Sequence, residues 1–205
     1  EGDDGAEEKD AGGRKPRRKK DLPPQYQPWL DLVDLLITKQ ELKAFLAIHK
    51  DYQRDAFIER FWAERDTFRD TARNELRERW MARAEEAMRL TGGDLLDERA
   101  RVLLLNGIPD ALIDYDCIDL WPGQVWYYQR AESVGQEIAL LFYQVGNQGR
   151  YRLWYPTEGL SVLFQFAMGI DNPGTLYRNI ERNCGFNDGE AVLAALNMTR
   201  VHGNL

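Results

Sequence analysis

The chain has 205 residues, 43% hydrophobic and 11% aromatic, with a formal net charge of -7, enough apolar material for one well-filled core. The first 21 residues hold seven basic and seven acidic side chains that cancel, so the acidic excess falls on the remainder and excludes a nucleic-acid-binding surface there. All seven lysines lie at or before Lys50, which excludes Schiff-base, pyridoxal and P-loop chemistry from residues 51–205 and leaves arginine as the anion binder.

In chain order, residues 1–24 run acidic, then glycine-bearing, then basic from Arg14 to Lys20, and end in Pro23-Pro24. Such a segment cannot bury enough apolar surface to offset its ordering entropy, and it reads as a disordered charged leader. Its basic run is either a solubilising linker or a contact for an anionic membrane surface or nucleic acid. Residues 25–157 read as one domain, with helices over 28–90 and strands over 100–155, and residues 158–205 as a C-terminal helical extension.

Trp29, Leu32, Val33 and Leu36 share one helical face. Thr38 and Glu41 form a capping box for a second helix carrying Leu42, Phe45 and Leu46. Asp51 is placed to cap a third, whose Phe57, Ile58, Phe61 and Trp62 form a broad buried stripe. Thr71 is expected to cap a longer helix through Leu76, Trp80, Ala84, Ala87 and Met88, stopped by Gly92-Gly93. The period then changes. Val102 to Leu105 reads as a strand before a turn at Asn106-Gly107, followed by strands at Gln124–Gln129, Ile138–Val145 and Arg150–Tyr155. The last two form a hairpin across Gly146 to Gly149. Residues 175–183 and 188–197 have helical composition. The class is α+β, an N-terminal helical segment packed on a small, mainly antiparallel sheet with C-terminal helices.

The motif Phe57-Ile58-x-x-Phe61-Trp62-x-x-Arg65-Asp66 is followed by Thr71 and Asn74-Glu75. Then come Arg99-x-Arg101-Val102 with Gly107-x-Pro109-Asp110, and Trp126-Tyr127-Tyr128 before the hairpin. In this order the blocks resemble the GWxTD-domain proteins, a bacterial group of unknown function, from about Trp29 to Tyr155. Where that family typically reads Gly-Trp-x-Thr-Asp-Arg-Gly-Arg, this chain has Asp94-Leu95-Leu96-Asp97-Glu98-Arg99-Ala100-Arg101, so both arginines remain and the tryptophan and glycines do not. It resembles a divergent member. The resemblance implies no activity. It implies an exported protein of the bacterial periplasm or cell envelope; the start at Glu1 without methionine reads as a processed or truncated chain, and removal of a signal segment before Glu1 fits that implication.

Arg65, Asp66, Asn74 and Glu75 flank a helix–helix loop. They either gather as a pocket, with Arg65 binding an anion and Asp66 or Glu75 serving as base, or lock the turn. Arg99 and Arg101, two apart on the expected strand, project to one face and need a carboxylate between them. Asp66, Glu75 or Asp110 supplies it in a buried ion network, or a ligand does. Aromatics on both sheet faces offer Trp126, Tyr128 and Trp154 as a sugar or peptide platform, against a simple role in the core.

Cys117 and Cys184 either pair in an oxidising compartment or serve as two small buried hydrophobes. His49 and His202 lack partner motifs, Ser133 and Ser161 lack a nucleophile turn, and no run reaches the roughly 18 apolar residues of a membrane helix. No metal and no cofactor is expected. The expected function is a non-enzymatic exported binding or assembly module with protein partners, a subunit or accessory protein of an envelope complex. The alternative is a carboxylate-dependent hydrolase or transferase with arginine anion binders.

Overall fold

The computed structural model describes residues 22–165, 178–180 and 182–201, with 199–201 by backbone alone. Residues 1–21 of the expected leader, and 175–177 and 181 of the expected helix at 175–183, lie outside the described residues. The fold is α+β, with helices and a four-stranded antiparallel sheet. The chain divides between Asp66 and Thr67, within the stretch that the sequence reads as a single domain.

In the first unit, a 3-10 turn at Pro24–Tyr26 leads into α1 (Gln27–Leu32), α2 (Lys39–Ala47) and α3 (Asp51–Glu64). The capping box of α2 forms as its sequence dictates: the Glu41 N–H donates to Thr38 Oγ1 at 3.2 Å and the Thr38 N–H to Glu41 Oε2 at 2.8 Å. Asp51 is not the cap of α3 but its first residue, with Lys50 before it. Its carboxylate is taken by the buried Arg54, whose Nη1 lies 2.7 Å away. Phe45, Phe57 and Phe61 are buried around the indole of Trp29, with the Trp29 and Phe45 rings 4.7 Å apart and Trp29 and Phe61 5.3 Å apart. Each phenyl ring contributes about 1.5–3 kcal/mol of burial before entropy is counted.

The second unit begins with α4 (Glu75–Thr91), α5 (Glu98–Asn106) and the strands β1 (Ala111–Tyr115), β2 (Gly123–Tyr128), β3 (Ile138–Tyr143) and β4 (Arg152–Leu153); it closes with α6 (Phe186–Val201). Asn74, not Thr71, caps α4, its Oδ1 accepting the Arg77 N–H at 2.8 Å. Gly92 ends α4 in the left-handed conformation that glycine adopts without a Cβ clash, φ 66°.

The run at Val102–Leu105 is helix, not strand. Asp97 caps α5 by accepting the Arg99 N–H at 2.9 Å. A helix buried on several sides reads as a continuous apolar run, which periodicity cannot separate from a buried strand.

The strands run in the order β1-β2-β3-β4, all antiparallel, with Trp126 opposite Leu140 and Phe142 opposite Leu153. β1 was not foreseen in the sequence, and the expected strand at 150–155 shortens to β4. On one face Trp126, Leu140 and Phe142 share a core with Ala87 of α4 and with Ala100 and Leu103 of α5. On the other, Val125 and Leu141 share one with Val192, Ala195 and Leu196 of α6. The sheet thus lies between described helices on both faces, and Leu163, Phe164, Ile180, Val192, Ala195 and Leu196, past residue 158, add side chains to its core. Cys117 and Cys184 are joined by a disulfide in that second core.

Candidate functional site

The polar residues singled out by the sequence fall into separate local arrangements. Within the first unit, Arg65 Nη2 donates to Glu41 at 2.8 Å and to the Leu36 carbonyl at 3.1 Å, and its guanidinium lies 3.7 Å from the Phe61 ring centroid. Burial pushes the Glu41 carboxyl up, but hydrogen bonds from Thr38 and Arg65 outweigh it and hold the group below its usual value. Arg65 therefore ties the start of α2 to the end of α3. Asp66 is half-buried at that end.

In the second unit Asn74 is spent as a cap, and Glu75 Oε1 lies 2.8 Å from the Thr71 hydroxyl. Asp110 Oδ2 accepts the Gln129 N–H at 2.8 Å. None of the three nominated carboxylates serves Arg99. Its partner is Asp97, which the sequence reading passed over: Arg99 Nε lies 3.0 Å from Asp97 Oδ1 and Nη2 3.1 Å from Oδ2. Arg99 Nη1 reaches Gln124 Oε1 at 3.3 Å, that oxygen also accepts from Trp126 Nε1 at 3.1 Å, and Gln124 Nε2 donates to Asp114 at 2.7 Å. Asp97, Arg99 and Gln124 are all buried, and the Arg99 guanidinium stacks 3.6 Å from the Tyr151 ring centroid. This is an internal chain of hydrogen bonds joining α5 to the sheet.

The aromatic platform is core. Trp126, Tyr128 and Trp154 are each no more than 2% exposed. The Tyr128 hydroxyl donates to the Gly107 carbonyl at 2.9 Å and Trp154 Nε1 to the Gly159 carbonyl at 2.8 Å. With helices on both faces of the sheet, alternate aromatics on either side are covered.

Arg101 behaves differently from Arg99. Two residues along a helix is about 200° of rotation, so α5 turns Arg101 out, and its side chain makes no hydrogen bond or ion pair with the described residues. It stands at the rim of a cleft of about 380 Å³ lined by α5, the loop before β3 and the β3–β4 edge. Val102, Leu105, Val134, Ile138, Leu140 and Leu153 make an apolar floor. Glu98, Asn106, Ser133 and Tyr155 complete the rim.

Two of these polar groups are committed: Glu98 Oε2 accepts the Leu153 N–H, and Asn106 Oδ1 accepts the Ser133 N–H at 2.9 Å. The hydroxyls of Ser133 and Tyr155, with Arg101, have no such partner among the described residues. Burial, and then the Glu98 carboxylate, push the Tyr155 hydroxyl above its usual value, with Arg101 working the other way. Tyr155 therefore keeps its proton and remains a donor. An apolar floor with three donors at one rim suits a group that is greasy at one end and anionic at the other. Of these residues the sequence singled out Arg101 alone as a site. Reading α5 as a strand hid Glu98, one turn before Arg101 on the same helix face, and Asn106 near the helix end.

Among the described residues no group of three His, Cys, Asp or Glu side chains is arranged to hold a metal ion, and no helix is long and apolar enough to cross a membrane. No protein-family model, curated protein or solved structure matches the chain.

Proposed function

We propose that the chain is an exported binding module of the GWxTD type, whose cleft beside α5 takes an apolar group bearing a carboxylate or similar anion. The observation that carries the reading is Arg101, an arginine with no counter-ion among the described residues at the mouth of an apolar cleft. A planar guanidinium offers a carboxylate two parallel hydrogen bonds, and the Tyr155 and Ser133 hydroxyls are placed to add others. The cleft volume falls in the range of small-ligand sites. Export is supported by the Cys117–Cys184 bond, since disulfides persist in oxidising compartments.

Octanoate and octanol test the cleft, with calorimetric titration as the readout. Octanoate binds the wild-type protein more tightly than octanol. Arg101→Met weakens octanoate by about tenfold to a hundredfold, the worth of a charged hydrogen bond, and leaves octanol unchanged. Leu105→Trp, at a half-open position that the added ring fills, abolishes both. If Arg101→Met binds octanoate as the wild type does, the reading fails. Ester turnover that disappears in Glu98→Gln would replace it with the hydrolase.

A further inference from the structure

β1 is an edge strand, bonded on one side to β2. The Gln144 N–H donates to the Pro122 carbonyl at 2.9 Å, so by the antiparallel alternation Gln124, Trp126 and Tyr128 bond to β3, and Gly123, Val125 and Tyr127 to β1. On β1 it follows that Ala111, Ile113 and Tyr115 face β2. The N–H and C=O groups of Leu112 and Asp114 point outward, with no bond to any described residue.

The side chains on this edge are apolar and open, Leu112 being 40% and Ile113 36% exposed, with Ile118 just beyond at 75%. The strand is also held at both ends. The Asp110 N–H donates to the Tyr127 carbonyl at 2.9 Å; at the far end the Tyr115 hydroxyl donates to the Phe142 carbonyl at 3.0 Å, and Cys117 is disulfide-bonded. A fixed edge that no described residue pairs loses little conformational entropy when it receives another strand.

Its charge says what kind of strand. Asp110, Asp114 and Asp116 bracket the apolar pair. A second copy pairing antiparallel must match outward residues with outward residues; Asp110 turns its N–H inward to Tyr127, so the outward charges are Asp114 and Asp116, and Leu112 on Asp116 sets Asp114 against its own copy. Like charges directly opposed on adjacent strands repel. A strand with basic residues at those positions gains an ion pair at each.

We propose that β1 is the docking edge for an extended segment of a partner protein, alternating basic and apolar residues, which adds to the sheet as a fifth strand. The inference does not depend on the cleft.

The probes are two end-blocked peptides, a repeated Val-Lys and a repeated Val-Glu, with amide hydrogen exchange as the readout. Val-Lys slows exchange at Leu112 and Asp114 and binds at least about tenfold more tightly than Val-Glu, the advantage falling as salt rises. Leu112→Pro removes an outward N–H that the β1–β2 ladder does not use, a position an edge strand tolerates; it abolishes binding with the unfolding midpoint held. Should that variant unfold, Asp116→Lys decides, reversing the preference between the peptides. Equal binding of both peptides, no slowing at those two amides, or a dimer in sedimentation that Leu112→Pro dissolves would each overturn the proposal.

Discussion

At the β4 edge of the sheet, the outward N–H of Tyr151 donates to Asp97 at 3.1 Å and that of Leu153 to Glu98; at the β1 edge, Leu112 and Asp114 offer theirs to no described residue. Both edges face the same hazard, since unpaired strand backbone is a template for another chain. The β4 edge is sealed by the first turn of α5, where a helix N-terminus favours carboxylates. One residue, Asp97, caps the helix, neutralises Arg99 and closes the edge. Along the β1 edge no described helix N-terminus supplies a carboxylate to the outward N–H groups. That edge carries flanking aspartates, which repel a second copy while leaving the edge available to a basic strand.

Opening the sealed edge should have the largest effect. Asp97→Ala strands the buried Arg99 without its counter-ion and leaves the Tyr151 N–H unpaired, and should cost about 3–5 kcal/mol of stability in urea unfolding. A loss near zero would show that Asp97 does not hold the edge.

Next comes the anchor of the open edge. Cys117 and Cys184 are 67 residues apart, and releasing them should cost about 4 kcal/mol through the entropy returned to the unfolded chain. Because Cys117 lies just past β1, reduction should raise amide exchange in β1 before β3. Uniform exchange across the sheet would mean that the bond does not secure that edge.

The smallest effect belongs to Asp94, whose carboxyl is held low by the hydrogen bond from Arg150, 2.6 Å away, against a weaker upward push from burial. A depressed folded pKa stabilises fully above the unfolded value of about 3.9 and loses that contribution as pH falls through the folded value. The midpoint difference between wild type and Asp94→Asn should therefore vanish in acid. A difference that stays constant with pH would remove Asp94 from the account.

The glycine beneath Tyr115 shows how much of this geometry is hidden from a sequence. A Cβ on Gly123 would sit 2.0 Å from the Phe142 carbonyl oxygen and 2.3 Å from the Tyr115 hydroxyl. The Tyr115 ring thus crosses β2 over a residue that must lack a side chain, and nothing local to Gly123 announces it. Arg99 and Arg101 make the same point. The sequence marks both as candidates, but as neighbours on one strand face needing one shared carboxylate. On a helix they part: one is buried with Asp97, the other stands open at the cleft.

What the amino-acid order determined by itself is what local physics governs: the α+β class, the capping box at Thr38 and Glu41, the glycine stop after α4, and the hairpin between β3 and β4. Tertiary structure alone decided that Val102–Leu105 is helical, that Trp126, Tyr128 and Trp154 are core, and that Cys117 meets Cys184. It also decided which arginine keeps a free hand. Caps and turns act over three or four residues, whereas burial and counter-ion choice depend on groups dozens of positions away that only the folded sheet brings together.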